Sequence, residues 1–236
     1  MNYLPLECWQ EISKFLDIKD QINSHQICHF LKNIKILSFY LTYSKRRKLT
    51  NEILMRYPHI QLLALHGGYV TNLNYLTNLT NLTIEFTSTI SNDGIQLPTL
   101  KNLLICDNFS ITDLNHLTNL ETLSIRGNNK ITDNSIKSLN LKVLLVPNHP
   151  YICHINHMTN LILLDGSGYC GVCDATINQL NLIAFVASYN KKITNVRHMT
   201  NLKYLMAECD CGIDDNGIQG LTFESLSSRD NNKITK

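Results

Sequence analysis

The chain has 236 residues, 44% hydrophobic and 17% charged, enough apolar content to bury a core and too much for a disordered chain. Its 21 Lys+Arg and 19 Asp+Glu leave a formal charge of +2, without the strongly basic field expected of a nucleic-acid binder. One long uncharged stretch, Val143 to Leu164, is interrupted by Pro147, His149, Pro150, His154 and His157 and does not read as a membrane span. From the amino end, MNYLPLECWQEI carries Glu7 and Glu11 and lacks the basic-then-apolar layout of a secretory signal. The eight cysteines therefore read as reduced thiols, and a cytoplasmic or nuclear setting is expected. Pro5 suits a first helical turn, and Leu6, Trp9, Ile12 and Leu16 follow on one helical face. Ile27, Phe30, Leu31, Ile34, Leu37 and Leu41 form a second helical stripe. Residues 1–44 are thus predicted to be a small helical domain, too small to bury much surface alone. Lys45-Arg46-Arg47-Lys48 reads as a solvated basic linker over 45–48.

From residue 49 to 236 the sequence repeats. Thr-Asn-Leu recurs at 77–79, 118–120, 159–161 and 200–202, with weaker copies between. Anchors at Ile60, Leu79, Leu100, Leu120, Leu141, Leu161, Leu182, Leu202 and Phe223 mark nine units of about 20 residues. Numbered from its anchor, each unit approximates L-x-x-L-x-L-x-x-N-x-x-I, most fully in Leu120, Leu123, Ile125, Asn128 and Ile131. This pattern resembles the leucine-rich-repeat family. The resemblance implies an α/β solenoid with a parallel, concave β-sheet, one short strand per unit, and a short helical or 3₁₀ return. The amide of Asn at position 9 can satisfy backbone groups where the strand turns inward. Asn108, Asn128, Asn190 and Asn231 hold that place; Thr87, His149, Tyr169 and Asp210 replace it, so looser turns are expected there. Return segments alternate in type, and Ile90-Ser-Asn-Asp-Gly-Ile95, Ile131-Thr-Asp-Asn-Ser-Ile136 and Ile213-Asp-Asp-Asn-Gly-Ile218 form one class.

That class is similar to the repeats that follow F-boxes in ubiquitin-ligase receptors. At the amino end, Leu4-Pro5-Leu6-Glu7, Ile12, Phe15-Leu16, Lys19-Asp20-Gln21-Ile22 and Ile27-Cys28 resemble the F-box in order and spacing. Leu31 departs from it, standing where that motif usually has Trp. The resemblance implies an adaptor docking on a Skp-type protein through Leu4, Pro5, Leu6, Ile12, Leu16, Ile22 and Ile27. The other reading of these helices is a cap over the first repeat. Abundant Asn, Ile and Lys with only five Ala suggest an AT-rich genome. With the atypical repeats, the chain is similar to F-box/leucine-rich-repeat proteins of large amoeba-infecting DNA viruses, or of an AT-rich protist, which implies action inside a host cell.

Other constellations read as structural. His149, Cys153, His154, His157, Cys170 and Cys173 invite a zinc reading, and Cys153 and Cys173 share a register position, but no second C-x-x-C accompanies Cys170-Gly-Val-Cys173. No metal or cofactor is expected. His116, His157 and His198 recur in alternate units, about 10 Å apart, too far for a common ion. No G-x-S-x-G, phosphate loop or H-E-x-x-H occurs and the carboxylates are scattered, so no enzymatic activity is expected.

Strand alternation turns positions 3, 5 and 7 outward. The position-5 row reads Leu104, Ser124, Leu145, Asp165, Val186, Met206, beside Tyr204 and bordered by Glu85, Arg126 and Glu208. Apolar side chains facing water within a charged border are what a protein-binding groove requires. The sequence thus predicts a non-enzymatic substrate receptor. An F-box would engage a Skp–cullin ubiquitin ligase, and Glu85, Leu104, Arg126, Leu145, Asp165, Val186, Tyr204, Met206 and Glu208 would hold an unidentified target protein. The alternative is a stand-alone scaffold or inhibitor whose amino-terminal helices only cap the repeats. Neither nucleic acid nor membrane is expected as a partner.

Overall fold

The L-x-L core of every unit forms a strand with its leucines inward. The computed structural model describes residues 49–86, 89–127 and 130–235, with the backbone of Ser38–Tyr40. The expected adaptor residues Leu4, Pro5, Leu6, Ile12, Leu16, Ile22 and Ile27, the linker 45–48, and Thr87 and Asn128 lie outside the described residues. The chain comprises two compact units, residues 1–110 and 111–236.

In the first unit, β1 (Ser38–Tyr40), β2 (Leu62–His66), β3 (Asn81–Glu85) and β4 (Asn102–Cys106) pair in parallel in chain order. β1 corrects the sequence reading: Ser38–Tyr40 falls between Leu37 and Leu41 of the expected helical stripe, yet Phe39 pairs in register with Leu63. The sheet thus reaches into the segment expected to be wholly helical. In the second unit, β5 (Thr122–Arg126), β6 (Val143–Leu145), β7 (Leu163–Asp165), β8 (Ala184–Val186), β9 (Tyr204–Met206) and β10 (Ser225–Ser227) pair likewise. One parallel strand per repeat makes this a leucine-rich-repeat solenoid.

The repeat frame explains the core. Ile60, Leu79, Leu100, Leu120, Leu141, Leu161, Leu182 and Leu202 are no more than 3% exposed. Leu63, Leu82, Leu103, Leu123, Leu144, Leu164, Phe185 and Leu205 at position 4 are equally covered. The ninth unit is thinner, because Phe223 and Leu226 are only partly buried. Among the described residues, helical returns are single turns, at α1 (Asn51–Leu54), a 3₁₀ turn at Asn92–Ile95, α2 (Asp133–Ile136) and α3 (Asp174–Ile177). Thr50 caps α1 by accepting a bond from Ile53 N at 3.4 Å. The last three fall in the alternating class of return segment. Gly94 is required in its turn because a Cβ there would sit 2.3 Å from the Thr71 carbonyl oxygen. Ser135 and Thr176 fill the corresponding place in α2 and α3, where their hydroxyls accept from Thr132 N and Cys173 N at 3.0 Å.

After each repeat strand the chain reverses through a left-handed residue at position 8. In order these are Gly67, Phe86, Asp107, Gly127, Asn148, Gly168, Tyr189, Cys209 and Asp230, with φ between 50° and 71°. Six of the nine are not glycine, so repeat geometry here overrides local preference. The position-9 amide then performs the expected task. Asn190 Nδ2 donates to the carbonyls of Gly166 at 2.7 Å and Val172 at 3.1 Å, and its Oδ1 accepts from Lys192 N. Asn231 repeats this with Ala207, Ile213 and Lys233, and Asn108 donates to Ile90 O at 3.2 Å.

The turns at Tyr169 and Asp210, expected to be looser, are filled by the next residue instead. Cys170 and Cys211 are fully buried there. His149, a third replacement, is itself buried. Lysines tie the alternating turns together: Lys192 Nζ donates to Cys170 O at 3.0 Å and Lys233 Nζ to Cys211 O at 2.9 Å.

Candidate functional site

The outer face of the strands is formed by positions 3, 5 and 7, as alternation requires. In the first unit it is mixed: His66, Asn81, Thr83, Glu85 and Asn102 are polar, Leu62 is apolar and half-buried, and Ala64 is buried. Glu85 is paired with His66, Thr80 donates to Asn81 Oδ1 at 2.8 Å, and Leu104 is a half-buried apolar residue among these groups.

The second unit differs. Across β6 to β9, Val143, Leu145, Leu163, Ala184 and Val186 are half-buried, while Tyr204 and Met206 are 45% and 42% exposed. Asp165 is the one charged residue among the eight side chains at positions 3 and 5 of these strands, and it lies in register between Leu145 and Val186. Arg126 is exposed at the end of β5. Glu208 is partly covered and accepts a hydrogen bond from the Ser227 hydroxyl. The structure therefore brings Leu145, Asp165, Val186, Tyr204 and Met206 together on adjacent strands of one sheet. Ser124 and Ser188, expected on the same face, are buried.

Two residues escaped the sequence reading. Ile162 and Ile183 at position 2 are 44% and 38% exposed and extend the apolar area along its flank. Charged pairs frame them: Lys142 Nζ meets Glu121 at 2.8 Å before them, and Lys203 Nζ meets Glu224 at 2.7 Å after them. Tyr204 also donates to Glu224, and Lys203, then Tyr204, lower that carboxyl below its usual range. The signal was present as Glu-Lys-Ile-Ile-Lys-Glu at position 2 of successive units, but position 2 lies outside the strand alternation used to list the face.

A separate concavity of about 410 Å³ follows β7 and β8, where Tyr169, Tyr189, Lys191 and Lys192 lie. Its lysines are engaged within the chain, Lys191 with Asp210 at 3.2 Å and Lys192 with Cys170 O.

The Cys/His region is arranged as a structural element. His154 Nδ1 lies 2.7 Å from Asp133 Oδ2. Burial pulls the Asp133 carboxyl up, but hydrogen bonds from His154 and from the N–H groups of Cys153 and His154 take it below its usual value. Burial pushes the Cys170 thiol up to about 11, against an opposing bond from Val172 N–H, and raises Cys153 and Cys211 as well. Raised thiols disfavour the thiolate a metal needs. Among the described residues, no three His, Cys, Asp or Glu side chains are grouped to hold an ion. His198 Nε2 donates to Ile177 O at 2.9 Å, a structural contact.

No family model matches the sequence, and a search of curated proteins finds no match. Solved structures do match. An internalin from Listeria monocytogenes aligns over 98% of this chain and 69% of its own, with 20% identity and a TM-score of 0.59. A leucine-rich-repeat protein from Leptospira interrogans aligns over 88% and 63%, with 19% identity and a TM-score of 0.56. Internalin C2 from Listeria monocytogenes aligns over 89% and 91%, with 18% identity and a TM-score of 0.54. At these identities the likeness is one of fold. The repeats are leucine-rich repeats in structure as well as in pattern. Among the described residues, no helix is long and apolar enough to cross a membrane.

Proposed function

We propose that the chain is a non-enzymatic recruiting adaptor acting in the cytoplasm or nucleus, with the outer face of β6–β9 holding a target protein. The apolar, half-exposed face of four consecutive strands carries this reading, because such an area facing water is stabilised by a partner that covers it. The amino-terminal segment resembles an F-box and supplies the second half of the proposal: Leu4, Pro5, Leu6, Ile12, Leu16, Ile22 and Ile27 would dock on a Skp-type adaptor of a ubiquitin ligase. The test is co-purification with that adaptor, comparing wild type with Ile12→Asp and with Leu4→Asp/Pro5→Ala. Adaptor lost from both variants, with unchanged repeat stability, supports the F-box. Adaptor retained at wild-type yield removes it.

One observation favours a second reading, a scaffold or inhibitor whose amino-terminal region only caps the repeats. Because β1 pairs directly with β2, part of that region already continues the sheet. Truncation separates the two: removal of residues 1–37 leaves a docking module's repeats stable, whereas removal of a cap destabilises them.

A further inference from the structure

The geometry of the second unit points to the chemistry of the occupant: we infer that the outer face of β6–β9 takes an amphipathic helix of about three turns, with a Lys or Arg near the middle of its apolar stripe. This rests on the reading of that face as the target site.

The helix follows from hydrogen-bond accounting. Strand amides and carbonyls of β6–β9 are spent between neighbouring strands, continuing past the strand ends through Val146 N to Asp165 O, Gly166 N to Val186 O and Ala187 N to Met206 O at 2.8–3.0 Å. The face therefore offers an extended segment no backbone partners. A chain that buries itself there must satisfy its own N–H and C=O groups, which a helix does. Three strand spacings of about 4.8 Å make the apolar area about 15 Å long, the length of roughly ten helical residues. Apolar side chains at i, i+3, i+4 and i+7 then match Leu145, Val186 and Met206, with Ile183 and Tyr204 on the flank.

The cation follows from Asp165. Its Oδ1 is taken by Ser167, through N at 3.1 Å and Oγ at 2.7 Å, while Oδ2 makes no hydrogen bond among the described residues. Covering this carboxylate with an apolar partner would leave a buried, unpaired charge; covering it with an ammonium or guanidinium satisfies it.

The test is a display selection against the full chain. The probe is a library of twelve-residue helices framed by Ala and Glu, with Leu, Ile, Met or Phe at i, i+3, i+4 and i+7 and Lys, Arg, Gln or Glu at one central position. The expected result is enrichment of Lys and Arg at that position. Enriched clones should bind the nearly isosteric Asp165→Asn at least tenfold more weakly and wild type with the central residue changed to Gln similarly weakly, while Asp165→Lys selects Glu. Clones that Met206→Glu abolishes but that show no central preference would overturn the cation and leave the face as a docking site. Clones insensitive to both Met206→Glu and Asp165→Asn, or no enriched clone at all, would overturn the inference, the former together with the face.

Discussion

The outer faces of β2–β4 and β6–β9 each rest on an inward ladder of leucines but end differently. The first mixes Asn81, Thr83, Glu85 and Asn102 with the apolar Leu62 and Leu104, and Glu85 is already paired with His66. The second presents Val143, Leu145, Leu163, Val186, Tyr204 and Met206 around one carboxylate. Inward positions are constrained by the fold, so they are alike in both regions. Outward positions are free to differ, and their contrast therefore carries the functional information. A face that interleaves polar and apolar side chains has less need of cover than one that is apolar across four consecutive strands, which a partner stabilises.

Six substitutions sharpen this contrast, beginning with the largest effect. Leu103→Ala and Leu144→Ala each empty a fully buried site, one beneath each face, and should each cost about 2–5 kcal/mol in denaturant melts. A small effect of either would mean the ladder differs between the regions. Asn190→Ala leaves Gly166 O and Val172 O without their donor and should cost about 1–3 kcal/mol. Gly168→Ala puts a Cβ at φ 68°, 2.0 Å from Asn148 Oδ1, and should cost about 1–2 kcal/mol. Val186→Glu and Met206→Glu change outward side chains and should alter stability by less than about 0.5 kcal/mol. If they destabilise more than Leu144→Ala does, the strand register is displaced by one residue.

Cys170 adds a pH test. Its thiol is raised by burial to about 11, above its unfolded value, so its contribution is complete below pH 8 and is lost as pH rises towards 11. The denaturation midpoint of wild type should fall over that interval more steeply than that of Cys170→Ala.

The repeat pattern made the inside of the molecule legible. L-x-x-L-x-L determined which residues are buried, and Asn190 and Asn231 make the bonds their amides imply. The turns were less legible. Position 8 is left-handed in all nine units, but Phe86, Tyr189 and Cys209 carry no local preference for that conformation. Cys170 and Cys211 fill the turn one residue later, so matching by position alone missed them. β1 was missed because Phe39 pairs with Leu63 at an offset longer than the repeat spacing. Of the candidate face, Tyr204 and Met206 followed from alternation, while Ile162 and Ile183 sit just before the strand, where alternation makes no statement.

The central claim, that a protein occupies the outer face of β6–β9, is tested most directly by quantitative affinity purification from the source cell. The baits are wild type, Thr83→Glu, Val186→Glu and Met206→Glu, each first shown to melt like wild type. The account predicts an interactor retained by wild type and Thr83→Glu and lost from Val186→Glu and Met206→Glu. The same interactors retained equally by all four baits would contradict it.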